Sequence, residues 1–294
     1  SRAYAPATAQ LRITMYDIDS EYFGIYGGYG ESLGQFRWPT GMASDHTGNI
    51  YVSDELNNRI NVFSHEGEPI KYWGEPGSSE GELNGPSGIT FDSDGDLFVA
   101  DHMNNRIQKF TKDGDFILSF GDKGQDTLKM PWGVFVTSDG FVYVADWGND
   151  RIAKYDSSGE FIRSFGSRGS GNGQFRNPSG VAVDEDGYIY VTDWGNERLE
   201  ILDKNGNFIQ SLRGQATISK WADEYFDGNY EEAEPRSRSN LEPSPVQFGG
   251  DPHEESAHIE KLFWGPTSVK LDDEGRVYVT ESNRHRVQIY EKAE

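Results

Sequence analysis

The sequence predicts an all-β protein assembled from a repeated unit of four short strands, and three observations predict it. Gly supplies 35 of the 294 residues, about 12% against a usual ~7%. Ile, Val, Tyr and Phe, not Ala, carry the apolar content, and aromatics reach 13%. That mix suits strands joined by glycine turns better than helices. The third observation is a recurring pattern: Pro-x-Gly, an apolar strand, a Gly turn, a second strand ending in Asp, then Asn-x-Arg-Ile. An aromatic, another Gly turn and a last apolar strand close each copy.

Along the chain, the stretch Arg12 to Gly28 (RITMYDIDSEYFGIYGG) matches the third and fourth strands of a copy. Full copies start at Pro39, Pro86, Pro131 and Pro178, and a fifth starts at Pro266. Their second-strand cores read YVSDELNNRINVF, FVADHMNNRIQKF, YVADWGNDRIAKY, YVTDWGNERLEIL and YVTESNRHRVQIY. Apolar and polar residues alternate within them, as at Val181 and Val183 or Ile189 and Val191, which is the period of a strand. One four-stranded unit cannot bury both faces by itself, and radial stacking of several units buries them. Asp54/Arg59, Asp101/Arg106, Asp146/Arg151, Asp193/Arg198 and Glu281/Arg286 lie five residues apart across a bend, a spacing that predicts an internal ion pair in every copy.

These copies resemble the NHL-repeat family, whose repeats form the blades of a β-propeller; the resemblance covers roughly residues 12–214 and 264–291. It implies one propeller domain over residues 1–294, with six blades favoured and five the alternative. It also implies a ring fastened by joining the N- and C-terminal strands into one blade. The gap before Pro266, about one repeat longer than the others, is what favours six.

Residues 215–263 lack the glycine rhythm and hold 11 acidic against 4 basic residues. Ser219 to Phe226 reads as an N-cap followed by a helix, and His258 to Trp264 as a second short helix. Pro235, Pro243, Pro245 and Pro252 break the stretch between them. Trp221, Tyr225 and Phe226 are too apolar for free solvent and are expected to pack on the ring or on a partner. Such an insertion reads as a docking arm or a solvated excursion from one blade.

The formal net charge is −22, with no basic stripe. Phosphate-driven binding of nucleic acid and docking to an anionic membrane surface are therefore excluded, including the RNA-binding role of some NHL-repeat proteins, which use basic faces. No apolar run reaches the roughly 18 residues of a membrane span. Zero Cys removes disulfides, thiolate zinc sites and a Cys nucleophile. The chain opens Ser1-Arg2-Ala3 without Met, and it is read as an extracytoplasmic protein, periplasmic or secreted.

Alternate loops of a blade share one end, so the second-to-third-strand loops and the links between blades emerge together. On the family's fold this is the face where ligands sit. It predicts Trp147, Trp194, His102, Asn105 and Asn58 as contacts for a protein or peptide, because aromatic anchors mark binding hot spots. The residue before each repeat Arg reads Asn58, Asn105, Asp150, Glu197 and His285, all with ligating or hydrogen-bonding atoms. Glu281-Ser-Asn-Arg-His285-Arg-Val287 resembles the Asp-x-x-x-His-x-Val of the superfamily's amidating lyases. A cation site of Asp150, Glu197 and His285, for calcium or zinc, follows as the alternative to no cofactor. Asp92-Ser-Asp94-Gly95 and Asp184-Glu-Asp186-Gly187 read as hairpin turns, being too short for a calcium loop. The chain is read as a non-enzymatic interaction or scaffold module. The alternatives are a metal-dependent lyase or hydrolase at the funnel mouth, and a structural subunit of a homo-oligomer or filament.

Overall fold

The structure, a computed structural model, describes residues 2–7, 11–17, 21–124, 126–218, 220–241 and 248–291. Strands β1 (Arg2–Ala7), β2 (Arg12–Asp17) and β3 (Tyr22–Gly27) make a three-stranded N-terminal sheet. Blade 1 follows, with β4 (Pro39–Ser44), β5 (Ile50–Asp54), β6 (Arg59–Phe63) and β7 (Pro69–Trp73). The two-residue strands β8 (Glu75–Pro76) and β9 (Glu82–Leu83) pair in the link beyond it. Blade 2 holds β10 (Pro86–Phe91), β11 (Leu97–Asp101), β12 (Arg106–Phe110) and β13 (Phe116–Phe120). Blade 3 holds β14 (Pro131–Val136), β15 (Val142–Asp146), β16 (Arg151–Tyr155) and β17 (Phe161–Phe165). Blade 4 holds β18 (Pro178–Val183), β19 (Ile189–Asp193), β20 (Arg198–Leu202) and β21 (Phe208–Leu212). Helices α1 (Lys220–Gly228), α2 (Tyr230–Arg238) and α3 (Pro252–His258) precede blade 5, which has β22 (Pro266–Leu271), β23 (Val277–Glu281) and β24 (Arg286–Tyr290).

Hairpin turns inside the blades are set by the side-chain oxygen of their first residue, an Asp in most and the hydroxyl of Ser64, Thr111 or Thr137 in the others. Asp92 Oδ1 accepts the backbone N–H groups of Asp94 and Asp96 at 3.0 and 2.9 Å, while Gly95 takes a φ of 85°. This is turn chemistry, as the sequence predicts. Lys109 Nζ then lies 2.9 Å from both Asp92 and Asp96 and offsets one of their two charges.

The core lies between blades. Phe98, Ala100 and Ile107 of blade 2 pack on Val134, Val142 and Val144 of blade 3, and Tyr143 and Ile152 of blade 3 pack on Val181, Ile189 and Val191 of blade 4. Each such fully buried side chain contributes about 1.5–3 kcal/mol of hydrophobic stabilisation. The innermost strands touch at the glycine of Pro-x-Gly. A Cβ on Gly88 would stand 2.5 Å from Trp132 O, and one on Gly133 would stand 2.7 Å from Ser179 O. The glycine is therefore required by backbone crowding at the ring's centre.

Five blades carry the innermost Pro strand, which is the smaller of the two numbers that the sequence leaves open. The long gap before Pro266 holds helices, not a sixth signature blade. The N-terminal sheet is a partial blade: Ala7 pairs with Arg12 in the register in which Asp54 pairs with Arg59. Strands β1 to β3 are thus the second, third and fourth strands of a blade whose innermost strand is absent among the described residues. The expected joining of chain ends falls on C-terminal residues that include 292–294, which lie outside the described residues. Among the described residues, β1 to β3 and β22 to β24 form separate sheets with no hydrogen-bonded pairing between them.

The insertion also departs from expectation. Pro235 sits inside α2 instead of interrupting it. Helix α3 begins at Pro252, where a missing N–H costs nothing, and Asp251 caps it by accepting the His253 N–H at 2.9 Å. It ends at His258, where the sequence places a helix start. Ser219 lies outside the described residues.

Candidate functional site: the loop face of the ring

Each second-to-third-strand loop makes one tight turn, and the residue before the repeat Arg closes it in a left-handed conformation. The φ values are 51° at Asn58, 56° at Asn105, 54° at Asp150, 51° at Glu197 and 50° at His285. Asn and Asp tolerate this region by bonding locally, and His is enriched there too; Glu is less common. Links and loops meet on this face, as the sequence predicts. Met103 N–H donates to Asn84 O at 3.0 Å, Gly148 N–H to Lys129 O and Gly195 N–H to Arg176 O at 2.8 Å each, and Ser282 N–H to Gly265 O at 2.9 Å.

The side chains of these left-handed residues reach forward to the next blade. Asn58 Oδ1 accepts the Gly85 N–H at 2.8 Å, Asn105 Oδ1 the Met130 N–H at 2.8 Å, and Asp150 Oδ1 the Asn177 N–H at 2.7 Å. Glu197 Oε2 accepts the Gly265 N–H at 2.6 Å. In each case the donor is the residue immediately before the Pro that opens the next innermost strand. These polar groups act as straps between blades, and the structure does not gather Asp150, Glu197 and His285 into one centre. Among the described residues no three His, Asp or Glu side chains are placed to hold a metal ion. His285 is exposed in blade 5, where no following Pro strand is present among the described residues.

Beneath the straps, the second-strand carboxylate organises each blade. Asp101 Oδ1 accepts the Asn84 N–H at 2.7 Å, while Oδ2 takes bonds from Asn104, Arg106 and Gln108. Arg106 spends its remaining N–H groups on the carbonyls of Ser78, Ser79 and Glu82. The same pair forms at Asp146–Arg151 (2.7 Å), Asp193–Arg198 (2.8 Å) and Glu281–Arg286 (2.6 Å). Burial pushes the Asp193 carboxyl up, against the bonds from the Arg176 N–H, Asn196 and Arg198. Blade 1 differs from the prediction. Asp54 instead takes the N–H groups of Arg37 and Trp38, Arg59 caps the carbonyls of Glu31, Ser32 and Gln35, and Arg59 Nε is buried without a partner.

Of the predicted aromatic contacts, Trp194 is 36% exposed and Trp147 is half-buried. His102 is turned inward. Its ring meets Trp132 edge-on at 5.0 Å, its Nδ1 lies 3.4 Å from Pro131 O, and burial lowers its pKa. Sequence reasoning missed Leu56 (50% exposed), Met103 (48%) and Trp38 (43%), which project from the same face. Alignment of the five loops contained the signal, since Leu56 and Met103 follow the position that Trp147 and Trp194 occupy.

His253 was missed as well. Carried by the insertion, it donates from Nδ1 to Glu197 Oε1 at 2.7 Å, and Trp264 Nε1 donates to its Nε2 at 3.4 Å. Burial raises the Glu197 pKa, while the Gly265 N–H and His253 oppose that shift. Helix α3 is held on blades 4 and 5 by Arg213–Glu255 at 2.7 Å and by Arg284 on the Ser256 and Ile259 carbonyls. No sequence motif links residues 197 and 253; the fold alone brings them together. Of the insertion's expected aromatic anchors, Phe226 is half-buried under Arg236, Tyr225 stays exposed, and the Trp221 side chain lies outside the described residues.

Comparison with known proteins agrees with this architecture. The NHL repeat matches the chain at residues 83–110, 128–155, 175–202 and 263–290. No curated protein sequence matches it. Among solved structures, virginiamycin B lyase from Staphylococcus aureus is similar, with 14% identity and a TM-score of 0.58 over 99% of this chain and 80% of that one. The Kuenenia stuttgartiensis hydrazine synthase shows 16% identity and a TM-score of 0.57 over 99% of this chain and 92% of that one. A chain of a nidogen/laminin complex shows 17% identity and a TM-score of 0.60 over 98% and 88%. At such identities the likeness is one of fold. With the matched repeats falling on blades 2 to 5, the chain belongs to the NHL-repeat β-propellers.

Proposed function

We propose that the protein is an interaction module that binds a protein or peptide on its loop face, with the α3 arm as part of the same surface. The observation that carries this reading is a division of labour. Polar side chains of the loops are occupied as straps, whereas Trp38, Leu56, Met103 and Trp194 are left projecting, with Trp147 beside them. Five of the seven tryptophans, Trp38, Trp132, Trp147, Trp194 and Trp264, belong to this end of the ring. Large rigid aromatics on a braced scaffold suit recognition by burial of apolar surface. Capture from a native extract tests it. The Trp147→Ala/Trp194→Ala variant should lose specific partners at unchanged thermal stability, while Ile162→Ala, on the outer strand, should keep them. Equal capture by both variants would overturn the assignment.

A second reading rests on one observation, the buried Glu197 carboxylate bonded to the half-exposed His253 at the ring's mouth. A carboxylate–imidazole pair can serve as a positioned base. Elemental analysis of the untreated protein decides whether a metal-dependent lyase or hydrolase is worth assaying: one tightly held transition metal per chain favours it.

A further inference from the structure

The link between blades 2 and 3 is built differently from its counterparts. Phe120 to Leu128 is two residues shorter than Tyr26 to Phe36, Trp73 to Leu83 and Phe165 to Phe175. In those three longer links a side-chain oxygen folds back on the link itself. Gln35 Oε1 accepts the Ser32 N–H at 3.1 Å, Glu82 Oε2 the Ser79 N–H at 2.8 Å, and Gln174 Oε1 the Gly171 N–H at 3.0 Å. Thr127 stands at that position here. A support from the third strand is missing as well. Gln108, Glu200 and Gln288 accept the link N–H groups of Gly81, Gly173 and Gln215 at 2.9, 3.1 and 2.9 Å. Blade 3 has Ala153 at that register position.

These omissions leave a cavity of about 320 Å³, lined by Phe120, Asp122, Asp126, Tyr155, Glu160 and Phe161 among others. The rings of Phe120 and Phe161 lie 4.8 and 5.6 Å from that of Tyr155 and give the cavity an apolar floor. Tyr155 is 2% exposed, and its hydroxyl has no hydrogen-bond partner among the described residues. Tyr290, at the same position in blade 5, does have partners: its hydroxyl donates to Gln288 Oε1 at 2.7 Å and accepts the Gln215 N–H at 3.2 Å. Blades 1 and 2 carry Phe63 and Phe110 there. A buried hydroxyl left unbonded is costly, so one that persists beside a cavity points to an occupant that completes it. Burial raises the Tyr155 pKa, so the hydroxyl stays neutral and able to accept or donate. The charges around it are unbalanced. Asp122, Asp126, Glu160 and the neighbouring Asp146 stand against Lys123 and Arg151. Arg151 is held by Asp146 at 2.7 Å and Asp126 at 3.4 Å, whereas Asp122 and Glu160 make no ion pair among the described residues.

We propose that this cavity binds a primary alkylammonium ion, with its hydrocarbon part on the three rings and its charged head bonded to the Tyr155 hydroxyl and the carboxylates of Asp122 and Glu160. Aromatic faces and carboxylates together favour such a cation. The volume lies at the small end of ligand pockets and suits a short amine. A free amine and the side chain of a lysine share this chemistry.

The test is titration of the full chain with n-butylammonium, followed by amide NMR. Saturation with a dissociation constant on the order of 1 mM, shifting the amides of Gly121, Gly124 and Gly159, is the expected result, with no saturable shift from n-butanol. Glu160→Gln should weaken binding about tenfold. Tyr155→Phe, which copies blades 1 and 2 and so should fold normally, should weaken it about fivefold. Ala153→Gln restores the side chain of blades 2 and 5, and should fill the cavity and abolish binding at undiminished thermal stability. Nα-acetyl-lysine methylamide distinguishes the sources: binding as tight as that of n-butylammonium assigns a lysine side chain, and binding of n-butylammonium alone assigns a free amine. No saturation, equal binding of n-butanol, shifts elsewhere, or undiminished binding by Tyr155→Phe and Ala153→Gln overturns the proposal.

Discussion

Asp150 accepts the backbone N–H of Asn177 at 2.7 Å across the boundary between blades 3 and 4. The same left-handed position does this at four successive boundaries, so residues that resemble a ring of ligands brace the scaffold. Asn105→Ala should destabilise the protein by about 1–3 kcal/mol, since the Met130 N–H loses its acceptor and Ala is strained at positive φ. Asp150→Asn keeps an acceptor oxygen and should stay within about 0.5 kcal/mol of the parent. Urea unfolding of both variants checks the strap assignment.

Glu200 occupies the strand position that Gln108 and Gln288 hold in blades 2 and 5. Burial pushes its pKa up to about 7, against the pull of Arg198. A native carboxyl that titrates higher than its unfolded counterpart holds the extra proton between about 4.5 and 7. Stability from this group is therefore fully present at the lower pH and declines as pH rises through that window, by at most on the order of 3 kcal/mol. Glu200→Gln should remove the decline and raise the melting temperature at pH 8. Melting curves between pH 5 and 8 decide it.

The carboxylate–Arg pairs differ between blades 1 and 2. Asp101 lies 2.7 Å from Arg106 and both are buried, whereas Asp54 caps backbone N–H groups and leaves Arg59 to the link carbonyls. Asp101→Ala should cost about 3–5 kcal/mol, because a buried guanidinium loses its counter-ion. A double-mutant cycle should give strong coupling for Asp101/Arg106 and about 0.5 kcal/mol or less for Asp54/Arg59.

Gly88→Ala places a methyl 2.5 Å from Trp132 O and 2.8 Å from Gly133 Cα, against backbone that cannot swing aside. The expected loss is about 3 kcal/mol. A variant as stable as the parent would show that the innermost strands are not packed this closely.

Much of the ring was legible in the sequence. The Pro-x-Gly spacing, the alternation at Val181 and Val183, and the Asp–Arg interval are local features, and local periodicity sets strand, turn and face. Blade number was not legible, because the length of residues 215–263 mimics a repeat while Pro252 and its neighbours form helix. Loop positions 58, 105, 150 and 197 carry ligand-like atoms, yet each is engaged by the N–H that precedes the next blade's Pro, 25 to 27 residues onward for the first three and 68 onward for Glu197, across the insertion.

By itself, the sequence determined that four-stranded units repeat, that their turns are built on Asp and Gly, and which end of the ring bears the aromatic loops. Only the tertiary structure decided that His253 rests on Glu197, that Asp54 and Arg59 part company, and that the loop carboxylates and amides strap one blade to the next. Those outcomes depend on which blade follows which around the ring, and on what each buried donor or acceptor finds there. Spacing along the chain sets neither.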